Sequence, residues 1–281
     1  MSAWGKCDLA EDQLKAFTRS AVRMKTLLCL IEDDMDSGDL EKKIGTRAST
    51  ILHTMKDLTE NELVIKSKRG YALTNVGRIQ AMLLDDLVEA IVALDQHKEF
   101  WLIHDLSGIP SDLQKKIGML AQSEIMASSS EAIFRTVEYF IQEMAKAKEI
   151  QGVSPIIVPG YADMIARNVK GGAKVDLILT DNILKIVCEQ HCGLLKDLLM
   201  QDNFRLYRTD LEVKVAFTVT ESMLDLGLFR LDGSYDLGAD LVCIGEGSIN
   251  WGRELFEHYR SLSQIVDDPE FISNIAMRMR G

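Results

Sequence analysis

One stretch, Gly38 to Arg78, concentrates residues able to recognise a phosphate backbone. Thr46, Arg47, Ser49, Thr50, His53 and Lys56 fall on one side of a helix predicted over 46–59. Hydroxyls, an imidazole and two cations at helical spacing offer donors to phosphate oxygens and to base edges in a major groove. Lys66, Lys68 and Arg69 follow in LVIKSKRGYALT, and residues 63–78 hold four basic residues and no acidic one. Local positive charge of this kind is what an electrostatic footprint on a duplex requires, whatever the charge of the whole chain.

The elements that must position these groups are legible nearby. DLEKKIG, residues 39–45, reads as a short helix closed by Gly45 in a left-handed conformation. Thr46 is placed to cap the next helix. There Ala48, Ile51, Leu52, Met55 and Leu58 recur at three- and four-residue spacing and predict one buried stripe. Two short strands follow around a turn at Lys68, Arg69 and Gly70, with Gly70 supplying a positive φ. Helix, turn, helix and basic hairpin in that order make the winged variant of the helix-turn-helix. Upstream, residues 11–35 read as helical, with Val22, Leu27, Leu28, Leu30 and Ile31 available to pack on it and EDDMD at 32–36 ending the helix. Downstream, Thr74 is expected to cap a long helix carrying Val76, Ile79, Met82, Leu83, Leu87, Ile91 and Leu94 as an apolar stripe. That stripe could pack within its own chain. We favour a second copy, because two-fold symmetry would set two recognition helices in successive major grooves about 34 Å apart.

At 281 residues the chain is long enough for two domains of about 100–200 residues. The boundary is expected near QHKEFWLIHDLSGIP, giving an N-terminal α+β winged helix over 1–97 and a C-terminal α/β domain over 98–281. Net charge is −11: residues 1–97 carry 13 Lys and Arg against 16 Asp and Glu, and the remainder 19 against 27. The second domain is therefore not expected to be a nucleic-acid surface. No apolar run approaches membrane-spanning length and no signal-peptide pattern opens the chain, so a cytoplasmic location is expected. Five cysteines, an odd number without framework spacing, read as reduced thiols.

Beyond Pro110 helix and strand alternate. Ser128, Ser129, Ser130 and Glu131 are expected to begin a helix that ends at Gly152. Strands are predicted at 153–158, 174–180, 204–207, 213–219, 226–231 and 241–244, with a hairpin turn at Asp232 and Gly233, a last helix over 247–262 and then a polar tail. The expected class is α/β. Ligands in such sheets sit beyond the carboxyl ends of strands, which marks Tyr161, Asp181 and Asn182 as candidate effector contacts, with Trp251 closing an apolar pocket. The alternative for Asp181 and Asn182 is helix capping, and for Trp251 filling the core.

Enzyme signatures fail. G-x-x-x-x-G-K-[ST], G-x-G-x-x-G and G-x-S-x-G are absent, and so is the H-x-K-x-x-x-x-D of phospholipase-like folds. His104 beside Asp105 is read as a packed histidine bonded to a carboxylate rather than a catalytic pair. Cys188, His191 and Cys192 share one helix but do not complete a tetrahedral metal shell. No metal and no cofactor are expected.

MKTLLCLI, the polar-faced helix and YALTNVGR resemble the winged helix of archaeal and bacterial transcriptional regulators. HDLSGIP at 104–110, GVSPIIVPGY at 152–161, the run from Val213 to Asp236 and WGRELFEHYR at 251–260 resemble the C-terminal domain of methanogen regulators of the methanogenesis regulatory type. The resemblance implies a regulator that binds double-stranded DNA as a homodimer and senses a small-molecule effector, without naming the effector. The competing reading is a metabolic enzyme on the α/β domain, with the winged helix as an interaction module.

Overall fold

The structure is a computed structural model that describes residues 2–18, 20–127 and 135–278. The chain divides into two compact units, Met1–Val88 and Glu89–Gly281.

In the first unit α1 (Ala3–Thr18) precedes α2 (Ala21–Glu32), so residues 11–35 are not one helix. Ser20 caps α2, its hydroxyl accepting from the Arg23 amide at 3.2 Å. Next come α3 (Ser37–Ile44), capped by Asp36 and closed by Gly45 at φ 71°, and α4 (Ala48–Glu60). Arg47, not Thr46, occupies the N-cap of α4, and it makes no side-chain capping bond. The buried face of α4 is Ile51, Thr54, Met55 and Leu58. Leu52 and Ala48 were expected there and are exposed instead. At 100° per residue the stripe centres on Ile51, Met55 and Leu58, and Leu52 falls a quarter turn outside it. These residues join Leu27 and Leu30 of α2 and Leu40 of α3 in one core. Each such side chain contributes about 1.5–3 kcal/mol on burial.

α4 ends in paired bonds, Leu63 N–H to the Leu58 carbonyl and Glu62 N–H to the Thr59 carbonyl, both 3.0 Å. That closure holds Glu62 at φ 58°, among the described residues the only non-glycine with positive φ. Glu62→Gly is expected to raise stability by up to about 1 kcal/mol, since the left-handed strain disappears while the backbone bonds stay. Chemical denaturation checks it, and a loss of stability would contradict this geometry.

β1 (Val64–Ser67) and β2 (Gly70–Leu73) pair antiparallel across Lys68–Arg69, and α5 (Asn75–Gln96) follows. The Thr74 hydroxyl caps α5, accepting from the Gly77 amide at 3.0 Å. The division between units falls inside this helix, ahead of the expected boundary at 97.

The second unit opens with α6 (Lys98–Ile103), α7 (Ser111–Gln114) and a 3-10 turn (Ile117–Leu120). Then come β3 (Ser123–Ala127), α8 (Arg135–Met144), β4 (Glu149–Ser154), α9 (Tyr161–Lys170), β5 (Lys174–Thr180) and α10 (Asp181–Leu199). The chain continues through β6 (Phe204–Thr209), β7 (Val215–Thr220), β8 (Met223–Leu228), β9 (Ala239–Ile244), α11 (Glu246–Ser261), β10 (Gln264–Val266) and α12 (Pro269–Arg278). Eight strands form one sheet in the order β10-β6-β5-β4-β7-β8-β9-β3, with β4, β5 and β6 parallel and the other pairings antiparallel. The α/β class is as expected. One face packs α8, α9, α10 and α12 over Ile150, Leu177, Leu179 and Leu206. The opposite face packs Trp251, Leu255 and Phe256 of α11 over Val153, Phe217 and Leu226.

Several sequence expectations are corrected. Gly152 lies inside β4 and ends no helix, and the strand runs 149–154 rather than 153–158. The polar Gln151 and the glycine conceal it, yet a Cβ at Gly152 would stand 3.2 Å from the Tyr161 hydroxyl, so the strand needs that bare position. β3 was not foreseen. The tail is an edge strand and a helix whose Ile272 is fully buried, not a polar extension. Ser128, Ser129, Ser130 and Glu131 lie outside the described residues.

Candidate nucleic-acid interface

On the outer face of α4, Arg47, Ser49, Thr50, His53 and Lys56 are exposed, and Thr46 is half-buried before it. Leu52, 52% exposed, stands among them and adds an apolar group to an otherwise polar surface. Asp57 does not share in that surface freely, because it is ion-paired with Arg23 of α2. Lys56 lies 3.7 Å from Glu60 one turn on, a loose pair between exposed side chains. The structure therefore brings the expected helix residues to one accessible face, with Thr46 at its rim.

The hairpin is held by a contact the sequence did not reveal. Met35, within the acidic EDDMD run, pairs with Tyr71: the Tyr71 amide donates to the Met35 carbonyl at 2.9 Å and the Met35 amide to the Tyr71 carbonyl at 3.2 Å. Close approach explains Gly70, at φ 129°, where a Cβ would stand 2.5 Å from the Met35 carbonyl oxygen. The acidic run is thereby set against the wing, and Arg69 lies 3.4 Å from Asp33. Both side chains are mostly exposed, and screened pairs of this kind contribute little, so a phosphate can displace the carboxylate. Lys66 and Lys68 make no ion pair among the described residues.

The second unit separates the candidates that the sequence placed together. Trp251 is fully buried on the α11 face of the sheet, its indole N–H donating to the Leu113 carbonyl at 3.0 Å, so it fills the core and closes no pocket. Asp181 is held by Arg208 at 3.2 Å, and Asn182 is exposed. The capping alternative is also corrected, because Thr180 caps α10 and accepts from the Ile183 amide. Tyr161 lines one cavity, with Thr218 and Asp225, and Asp181 borders a separate, smaller one with Arg208. Burial pushes the Tyr161 phenol up to about 12 while its hydroxyl bonds the Thr218 side chain.

His104 and Asp105 turn to different partners and form no dyad. His104 Nε2 faces Asp236 at 3.2 Å and its Nδ1 faces the Phe100 carbonyl at 2.7 Å. Asp105 accepts from Lys214 at 3.0 Å and from the Ser107 amide at 2.8 Å, and its carboxyl is held down to about 2 chiefly by Ser107 and then by Lys214. Cys188 is buried, with its thiol pushed up to about 11 by burial, and α10 kinks at His191. Among the described residues no group of three His, Cys, Asp or Glu side chains is placed to hold a metal. No described helix is long and apolar enough to cross a membrane.

A short helix and a polar-faced helix over one core, followed by a basic hairpin, define the first unit as a winged helix-turn-helix. Residues 11–92 match the family model for the N-terminal domain of methanogenesis regulatory protein FilR1, and residues 133–262 match the model for its middle domain. The chain is 33% identical over 260 residues to methanogenesis regulatory protein FilR1 of Methanothrix harundinacea (strain 6Ac), an alignment that covers 91% of this chain and 58% of that protein. The chain belongs to the methanogenesis regulatory protein family. It spans little more than half the length of the relative. The second half, expected to resemble the C-terminal domain of such regulators, corresponds to the domain described as the middle one. Among solved structures, the archaeal chromatin protein TrmBL2 aligns over 92% of this chain and all of its own at 13% identity and TM-score 0.42. Nuc, a phospholipase D family member from Salmonella typhimurium, aligns over 52% of this chain and 99% of its own at 10% identity and TM-score 0.38. Both scores lie below the level at which two chains share a fold.

Proposed function

We propose that the protein is a DNA-binding transcriptional regulator. One observation carries the reading: in a chain of net charge −11, Lys66 and Lys68, without an ion pair among the described residues, stand on a hairpin next in sequence to an exposed helix face that carries Arg47, His53 and Lys56. α4 enters the major groove. Ser49, Thr50 and His53 face base edges, and Arg47, Lys56, Lys66, Lys68 and Arg69 lie on phosphates, with Thr46 at the rim. Membership of a regulatory family supports this reading. So does the longer relative's name, although regulation of a methanogenic pathway is said only of that protein.

The active form is a homodimer joined through α5. In the first unit Val76, Ile79, Met82, Leu83 and Leu87 are all exposed, and on the same helix beyond the division Ile91 and Leu94 are exposed too. From Val76 to Leu94 the stripe climbs five turns, about 27 Å. An apolar stripe of that regularity on a helix fits a copy of itself across a two-fold axis. A small-molecule effector in the second unit changes the spacing of the paired winged helices and so the affinity for DNA.

In a mobility-shift series, Lys68→Ala with Arg69→Ala is expected to weaken binding at least tenfold and to lower the salt slope by about 2, one phosphate contact per side chain. An unchanged affinity and slope would sink the wing assignment.

A further inference from the structure

On the α8 and α9 side of the large sheet, β7 and β8 set polar side chains among apolar ones. Thr218 and Asp225 are register partners on β7 and β8 and so project to the same side, the side of Leu177 and Leu179. Asp225 is 7% exposed and lines a cavity of about 590 Å³, part of it open to solvent. No described residue gives its carboxylate a hydrogen bond. Beside it Asp240 receives, among the described residues, only a long bond from the Tyr235 hydroxyl, 3.4 Å. Two glycines clear the floor. A Cβ at Gly227 would fall 1.9 Å from the Tyr235 oxygen and 2.7 Å from an Asp240 oxygen, and one at Gly152 would crowd the Tyr161 and Thr218 hydroxyls at 3.2 and 3.3 Å.

A carboxylate buried without a cation or donor is costly, and two neighbouring ones more so. Burial drives Asp225 well above the ordinary carboxylate range, with Asp240 adding to it, and Asp240 itself is raised to about 6. No lysine or arginine among the described residues lines the cavity. The rest of the wall is apolar, part aliphatic and part aromatic, with the Phe140 and Tyr161 rings stacked at 5.9 Å. Tyr161, Ser154, Ile156 and Val158 also border a second hollow of about 830 Å³, open solvent included, lined largely by apolar side chains such as Ile165, Leu177 and Leu194.

We propose that this cavity binds a small amphipathic organic cation, its ammonium group between Asp225 and Asp240 and its apolar tail directed past Tyr161 into the second hollow. A cation supplies the missing charge, aromatic faces complete its shell, and the hydroxyls of Thr218 and Tyr235 border the ammonium site. A metal ion is a poorer occupant, because two carboxylates do not complete a coordination shell. The proposal deepens the regulator reading by giving the effector a chemical class, and as an effector site it rests on that reading.

Thermal unfolding of the full chain tests the cavity without DNA. Phenethylamine and hexylamine at millimolar concentration are compared with phenethyl alcohol, hexanol and phenylacetate. The amines are expected to raise Tm, by about 5 °C or more at a hundredfold excess over Kd, and the neutral and anionic analogues are not. Asp225→Asn and Asp240→Asn should each abolish the amine response while leaving the ligand-free Tm at or above that of the parent. Equal responses to amine and alcohol, no response to either amine, or an amine response surviving in both variants would overturn the proposal. In the Lys68→Ala, Arg69→Ala protein the amine response should persist. If DNA binding fails to appear in any assay while that response stands, the regulator reading falls and the cation site does not.

Discussion

Replacing Leu83 and Leu87 together by glutamate yields a folded monomer whose DNA affinity is lower by about a hundredfold or more. The two leucines are 63% and 56% exposed and lie outside the core of the first unit, so their loss removes no internal packing. Glutamate is also a good helix former, and α5 should persist. Across a two-fold interface, two substitutions per protomer remove four leucines. At about 1.5–3 kcal/mol each on burial, the interface loses roughly 6 kcal/mol or more before any repulsion between the new charges. Without the second copy each winged helix binds one half-site alone, and the gain from linking two half-sites disappears. Sedimentation and mobility shift together give the answer. A variant still dimeric at the parent's concentration range would show that the stripe is covered by something other than a second copy, and a parent that is monomeric throughout would sink the dimer directly.

The second large effect is internal. Gly77→Ala is expected to destabilise the first unit by about 3 kcal/mol or more, lowering its Tm by over about 10 °C. An added Cβ would stand 1.9 Å from the Leu63 carbonyl oxygen and 2.8 Å from its carbon, backbone atoms that no rotamer change can move aside. The same carbonyl accepts the Thr74 amide at 2.9 Å, and the Thr74 hydroxyl caps α5 at Gly77. The substitution therefore strikes the joint between hairpin and helix. Gly193→Ala is the control: nothing lies within 4 Å of its Cβ position, and inside α10 alanine should stabilise by up to about 1 kcal/mol. A loss below about 1 kcal/mol for Gly77→Ala would mean that α5 does not rest on Leu63 as the structure has it.

That joint gives a physical reason for the Leu-Thr-x-x-Gly stretch in YALTNVGR. Leu73 enters the core, Thr74 caps the helix, and Gly77 permits backbone contact. The order of residues was readable, but the carbonyl they converge on was not, because Leu63 belongs to another part of the chain. The same limit applies to Met35, whose pairing with Tyr71 sets an acidic run beside the basic hairpin. Leu52 illustrates a different failure. Spacings of three and four residues admit two neighbouring faces, and only the positions of α2 and α3 decide which one is buried.

In the second unit the sequence revealed β5 to the residue, since KVDLILT centres on the apolar Leu177, Ile178 and Leu179, which a strand buried under helices on both faces requires. β3 and β10 escaped because edge strands are short and half polar. Four effector candidates were drawn from strand ends and an aromatic helix, and of these only Tyr161 reaches the cavity. Asp225 and Asp240 drew no notice, since an aspartate inside a strand looks like a solvent-facing position until its neighbours are known.

From residue order alone came what local physics controls: a polar and an apolar side on α4, a two-residue turn closed by a glycine, a capped helix with a long apolar stripe, and alternating helix and strand thereafter. Those features depend on neighbours within about a turn or a hairpin, which the chain carries with it. Tertiary structure alone decided which cations stay unpaired, that Trp251 belongs to the core, and that two aspartates distant from Tyr161 in sequence share its cavity. Burial, charge pairing and cavity shape are set by groups brought together across the sheet, and their free energies follow distance in space rather than along the chain.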